Sequence, residues 1–169
     1  MGIEKLRLFL PSSSTSSPSR GAQNPSSAQI CICQPSGDLP YEVYAAAMNG
    51  HLKPVSRYLN QGGKVNAMYK GWTLLHTACY HGRDRVVVEL LRHWDICVNL
   101  RTCDKNMDTA LIMAARMGHL DCIEALFSAS TKCPLDKDGK NSYGQTARDD
   151  ACVHNKQDVI FYLLAVRQT

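Results

Sequence analysis

From Asp38 onward the apolar residues fall into a helical stripe that keeps returning. Val86, Val87, Leu90 and Leu91 stand four, five, eight and nine residues after Gly82, a spacing that gathers side chains on one face of a helix. The same offsets after Gly50 give Pro54, Val55, Tyr58 and Leu59. After Gly118 they give Cys122, Ile123, Leu126 and Phe127, and after Asn155 they give Val159, Ile160, Leu163 and Leu164. Each of these glycine positions lies four residues beyond an alanine, at Ala46, Ala78, Ala114 and Ala151, and the steps between the alanines are 32, 36 and 37 residues. Four returns at one offset predict four units, each a pair of antiparallel helices. Gly82 and Gly118 supply the tight turn inside a pair. Small residues such as Ala78, Ala114, Ala115 and Ala151 let neighbouring helices come close.

The block Gly71-Trp72-Thr73-Leu74-Leu75-His76-Thr77-Ala78, with Gly82 beyond it, resembles the ankyrin repeat, whose signature is Thr-Pro-Leu-His-x-Ala followed by a glycine and an apolar helix. The resemblance covers residues 38–169. It implies an all-α ankyrin-repeat solenoid of about four helix-turn-helix units with connecting β-hairpin-like loops, the units running near 38–70, 71–105, 106–141 and 142–169. Thr73, Thr109 and Thr146 stand where their hydroxyls can accept from the free amides of a first helical turn. By resemblance His76 bridges neighbouring units. The departures are specific. Leu74, Ala110 and Ala147 replace the block's proline, Ile112 replaces its histidine in the third unit, and Arg148 stands where inner units place leucine. Tyr41 to Tyr44 reads as an amino-terminal cap unit and Asn141 to Ala151 as a carboxy-terminal one. Against a unit of about 33 residues, the longer periods put about three and four extra residues into 93–108 and 128–145, where insertions into such arrays fall.

Composition narrows the setting. Apolar residues at 44% and charged residues at 20% suit a globular domain, and a net charge of +4 is too mild and too interleaved to argue for nucleic acid. Residues 11–37 are rich in Ser, Pro, Gly, Asn and Gln, so 1–37 reads as a disordered tail. Ser17-Pro18 in it has the form of a proline-directed phosphorylation site, though such pairs are commonly plain linker. The start alternates Lys5 and Arg7 with Leu6, Leu8, Phe9 and Leu10, faintly like an organelle import signal over 1–20, but Glu4 and its brevity count against that. Cytoplasm or nucleus is the expected location. No apolar run reaches the ~18 residues of a membrane helix. Of the 8 cysteines, Cys79, Cys122 and Cys152 are expected on helices as small packing residues, and Cys31-x-Cys33 lacks a second ligand pair at zinc spacing.

The chain lacks a Gly-x-Ser-x-Gly elbow, a phosphate-cradling glycine loop and a His-Glu-x-x-His motif, so no catalytic residue, metal or cofactor is expected. Cys79 beside His76 or His81 could imitate a thiol site, but both sit at structural positions. Asp104 and Asp108 read as turn and cap residues rather than an acid pair. What the resemblance does offer is a concave protein-binding face, drawn from positions four, three and one before the block's threonine and seven and eight after it. Here those are Tyr69, Lys70, Trp72, Tyr80 and His81; then Lys105, Asn106, Asp108, Arg116 and Met117; then Ser142, Tyr143, Gln145, Val153 and His154, with Met48 and Asn49 from the first unit. Trp, Tyr, Arg and Met are the types enriched at binding hot spots. Trp72, Tyr80 and Tyr143 are the expected anchors, with Lys70 and Arg116 pairing acidic groups of another protein. Phe161, Tyr162 and Val166 form a second candidate surface, for self-association. Two rival readings remain: a nucleic-acid-associated role through Lys70, Lys105, Arg116, Lys137 and Lys140, and a fragment or short isoform of a longer array.

Overall fold

The computed structural model describes residues 37–131 and 133–166. The expectations for the tail, for Ser17-Pro18, for Cys31 and Cys33 and for the import-like start fall on residues 1–36, outside that range. Among the described residues eight helices form four consecutive pairs: α1 Tyr41–Asn49 with α2 Leu52–Asn60, α3 Leu74–Tyr80 with α4 Asp84–Leu91, α5 Ala110–Met117 with α6 Leu120–Ser128, and α7 Ala147–Val153 with α8 Gln157–Val166. The first helices α1, α3, α5 and α7 stack in one row, and α2, α4 and α6 stack in a second. A small antiparallel hairpin, β1 Met68–Tyr69 and β2 Trp72–Thr73, precedes α3. At the next joint only an isolated bridge, Arg101 with Thr109, takes its place. The architecture is a helical solenoid with hairpin-like connections.

Helices of 7 to 10 residues are too short to hold in water alone, so packing across the joints must hold them. The returning stripe supplies it. Val55, Leu59, Val86, Val87, Leu90, Cys122, Ile123, Leu126 and Val159 are all buried, beside the small first-helix residues Ala47, Ala78, Ala114 and Ala151. Local signals start and stop each helix. The hydroxyls of Thr73, Thr109 and Thr146 accept from the amides of His76, Ile112 and Asp149 respectively. Gly82 turns the chain at φ +65°, and a Cβ there would meet the His119 ring at 2.6 Å, so both the backbone and the neighbour require glycine.

Three positions depart from the expected packing. Pro54 is exposed in the first turn of α2, where its missing N–H would have had no helical partner anyway. Leu164 is 42% exposed, and Cys152 is exposed as well. Cys79 and Ala115 occupy the Cys152 position in α3 and α5 and are buried, because a following pair covers them. Among the described residues nothing follows the fourth pair.

His76 ties the second pair to the loop leading into the third. Its Nε2 lies 2.9 Å from the Leu100 carbonyl, while Nδ1 accepts from the Thr73 amide at 3.2 Å and lies 2.8 Å from the Thr73 hydroxyl. An accepting Nδ1 leaves the ring proton on Nε2, which donates to Leu100; a second proton would face the Thr73 amide. Burial lowers the pKa of His76 from 6.5 to about 4, against the pull of the Leu100 carbonyl and of Asp104 and Asp108. Between those values the unfolded chain takes up a proton that the folded one refuses. Stability from this group is therefore complete above pH 6.5 and is lost as pH falls towards 4, by roughly 3 kcal/mol. Urea unfolding followed from pH 7 to 4 should show that loss in the native chain and a flatter dependence in His76→Gln. Parallel curves for the two would remove His76 as its source.

Candidate functional site

The hairpin before α3 builds the aromatic part of the face. Lys70 and Gly71 lie between the strands at φ 49° and 84°, the left-handed pair that closes a two-residue hairpin turn. That turn sets Tyr69 opposite Trp72 across the two strands. The Trp72 indole N–H donates to Asp104 Oδ2 at 3.3 Å, and its ring meets Tyr80 edge-on at 5.2 Å. Tyr80 meets His81 edge-on at 5.1 Å. On the other side Tyr69 packs on Tyr44 at 4.9 Å and on Tyr41 at 5.6 Å, with the Lys70 ammonium 5.5 Å from its ring centre. Tyr69, Trp72, Tyr80 and His81 are half-buried, and Tyr41 and Lys70 are exposed. Such edge-to-face contacts hold the rings in place while leaving other surface free.

Asp104 positions Trp72 and stays ionised. Burial pushes its pKa up, but bonds from the Thr102 hydroxyl, the Asn106 and Met107 amides and the Trp72 indole outweigh that and lower it. His81 is lowered too, by burial first and then by Arg83 and His119, so its ring is neutral at pH 7. Further along, the loop tips are stitched together. The Ser142 amide donates to the Asn106 carbonyl at 2.8 Å, its hydroxyl to the Lys105 carbonyl at 2.6 Å, and the Tyr143 hydroxyl to Asn106 Oδ1 at 3.2 Å. Tyr143 is 62% exposed and Met117 37%, Lys105 is exposed, and Gln145 is half-buried beside Asn141. Of the outlying positions, Asn49, Ser142, Val153 and His154 are exposed and Met48 is half-buried.

Two expected surface residues turn inward, Asp108 wholly and the half-buried Arg116 in part. Asp108 is fully buried, and Arg116 is closed around it, with Nη1 at 2.7 Å from Oδ2 and Nη2 at 3.1 Å from Oδ1. Arg116 Nε also donates to Asp150 Oδ2 of α7 at 2.7 Å, and Asn141 Nδ2 donates to Asp108 Oδ1 at 3.1 Å. His154 caps the group through the Asp150 carbonyl at 2.9 Å. Burial lowers the pKa of Arg116, but its bonds to the two carboxylates prevail and raise it. The pairing of Arg116 with acids was anticipated, but the acids belong to this chain. The sequence reading passed over Asp150, although an aspartate four residues after the capping threonine, where α3 has Thr77 and α5 has Met113, marks it out. Tyr41 and Tyr44, three apart on α1, were also missed as extensions of the aromatic run.

The candidate thiol and imidazole, Cys79 and His76, are held in structural positions. Cys79 is buried, and burial pushes its thiol pKa well up, away from the thiolate that a nucleophile needs. Both ring nitrogens of His76 are occupied. Among the described residues no group of three or more His, Cys, Asp or Glu side chains could hold a metal ion, and no helix is long and apolar enough to cross a membrane. Removing the guanidinium would take from two buried carboxylates the cation that pairs with both, leaving Asp108 its bond from Asn141. Arg116→Met is therefore expected to cost about 3–5 kcal/mol in urea unfolding, whereas Lys105→Met on the exposed loop should stay within about 0.5 kcal/mol of the native chain.

Comparison with known families agrees with this geometry. A family model described as ankyrin repeats (3 copies) matches residues 95–168, and one described as ankyrin repeat matches residues 70–103. No curated protein matches the chain. Ankyrin repeats are in general protein–protein interaction modules and are typically non-enzymatic. With matched repeats over more than half of its 169 residues and four stacked helix pairs, the chain belongs to the ankyrin-repeat family.

Proposed function

We propose that this chain is a non-enzymatic adaptor, scaffold or inhibitor that holds one partner protein against its first-helix and hairpin face. Tyr69, Lys70, Trp72, Tyr80 and His81 form one half of the contact, and Lys105, Asn106, Met117, Tyr143 and Gln145 form the other. The observation that carries the reading is the run of ring contacts from Tyr41 through Tyr69 and from Trp72 to His81, part-exposed and held by the hairpin and by Asp104. Rings fixed before binding lose little freedom on binding, which favours affinity. A nucleic-acid role loses support. Arg116 is engaged by two carboxylates, and Lys137 and Lys140 line a cleft whose walls include neither Lys70 nor Lys105.

A second reading concerns the end of the stack. Phe161 and Val153 are each 67% exposed and Leu164 is 42% exposed, while Tyr162 and Val166 are half-buried. Apolar surface of this kind on a terminal pair suits a second copy of the chain. The Tyr162 ring is already engaged with Phe127, so Phe161 carries this surface more than Tyr162 does.

Once a partner has been isolated with the native chain, Trp72→Ala with Tyr80→Ala should weaken its binding by about 30-fold or more, as expected for hot-spot anchors. Helicity is checked in parallel. Undiminished affinity in a folded variant would move the site off this face. Light scattering during gel filtration tests the end surface: a dimer at high concentration that Phe161→Glu returns to monomer supports it, and a native monomer throughout removes it.

A further inference from the structure

The last joint, between the third and fourth pairs, is built unlike the others. The outer helices α2, α4 and α6 pack closely on one another, but α6 and α8 do not; they meet through Phe127 and Tyr162, with ring centres 5.7 Å apart. The loop from α6 to α7 belongs to the longest period in the chain, 37 residues, and its residues Lys137, Asp138 and Lys140 line this gap. A cleft of about 480 Å³ results, within the size range of small-ligand sites, between α6, α8, the start of α7 and the loop.

The walls combine two chemistries. Phe127 and Leu163 contribute apolar surface, and Lys137, Lys140 and Arg148 bring three positive charges against two carboxylates, Asp138 and Asp149. Asp149 is already committed. Its Oδ2 accepts from the Thr146 amide at 3.0 Å and from the Thr146 hydroxyl at 2.7 Å, closing the cap of α7. Lys137 spreads over Phe127, its ammonium 5.2 Å from the ring centre, so cation and apolar wall are adjacent. The loop is held in place. Asn99 donates to the Pro134 carbonyl at 2.7 Å and accepts from the Asp136 amide at 2.8 Å, and Arg101 donates to the Lys140 carbonyl.

We propose that this cleft is a second binding site, for a short acidic peptide segment that places a leucine or phenylalanine between Phe127 and Leu163 and its carboxylates on Lys137, Lys140 and Arg148. Charge selects this occupant. Residues 1–36 of the chain carry Lys5, Arg7 and Arg20 against Glu4 alone, so the chain's own amino-terminal stretch has the wrong sign. The site shares no residue with the aromatic face, so it succeeds or fails independently of that reading.

The test uses the full chain labelled with ¹⁵N, titrated with blocked octapeptides in which Leu or Phe is flanked by Glu. The same peptides with Gln for Glu, and a Glu peptide lacking the apolar residue, run beside them. Amides of residues 137–140, of Phe127 and of Arg148 should shift, the Gln peptides should bind at least tenfold more weakly, and added salt should weaken the Glu peptides. Lys137→Glu with Lys140→Glu, both exposed loop side chains, should lose at least tenfold in affinity with the remaining spectrum unchanged. Trp72→Ala with Tyr80→Ala should bind the peptides like the native chain. Shifts centred on the aromatic face, equal binding of Glu and Gln peptides, or no shifts with any of them would each overturn the proposal.

Discussion

Every helix pair in this protein depends on the joint with its neighbour, because among the described residues no helix is long enough to stand alone and no layer lies above or below the stack. A joint must do two things at once. It must bring apolar surfaces together, and it must satisfy each polar group caught between them. His76 shows the requirement in its simplest form: one neutral ring closes its own helix start through Thr73 and reaches across to Leu100. At the next joint Ile112 stands in its place and can do neither. There the cross-joint tie passes to Arg116, one turn further on, with Asp108, Asn141 and Asp150. Among the described residues no buried side-chain nitrogen or oxygen is left without a partner.

That choice of tie shapes the outer face. Aspartates that a surface reading would count as available are drawn inward or saturated, Asp108 and Asp150 by Arg116 and Asp104 by Thr102, two amides and Trp72. What remains towards solvent is a band of rings with Lys70 and Lys105 beside it. The stability of the joint between the third and fourth pairs and the character of the binding face are therefore one problem, and a change at Arg116 touches both.

The ends and the insertions follow the same logic. Residues at a packing position are buried only where another pair arrives, which is why Cys79 and Cys152, alike in sequence position, differ in exposure. The extra loop residues of the last period leave α8 drawn away from α6, and the chain fills that space with charges around Phe127 rather than with more core.

Repetition made much of this legible in advance. The four stripes, the three capping threonines and the turn glycines follow from local rules, since each depends on residues within one turn or one period of itself, and the role of His76 comes from the resemblance to the ankyrin block. The resemblance names Tyr69, Trp72, Tyr80 and His81 by their offsets from Thr73, and the ring contacts that join them, with Tyr41 and Tyr44 added, come from the structure. Contacts between residues more than thirty positions apart were not. Nothing near Arg116 in sequence says that its guanidinium, closed on Asp108 eight positions away, also reaches Asp150, 34 positions on. Nor does the length of an insertion say whether it opens a cleft or packs flat. Local pattern determined which elements form and in what register. Only the stacking of one pair on the next decided which charges were buried, since burial depends on the neighbour that arrives.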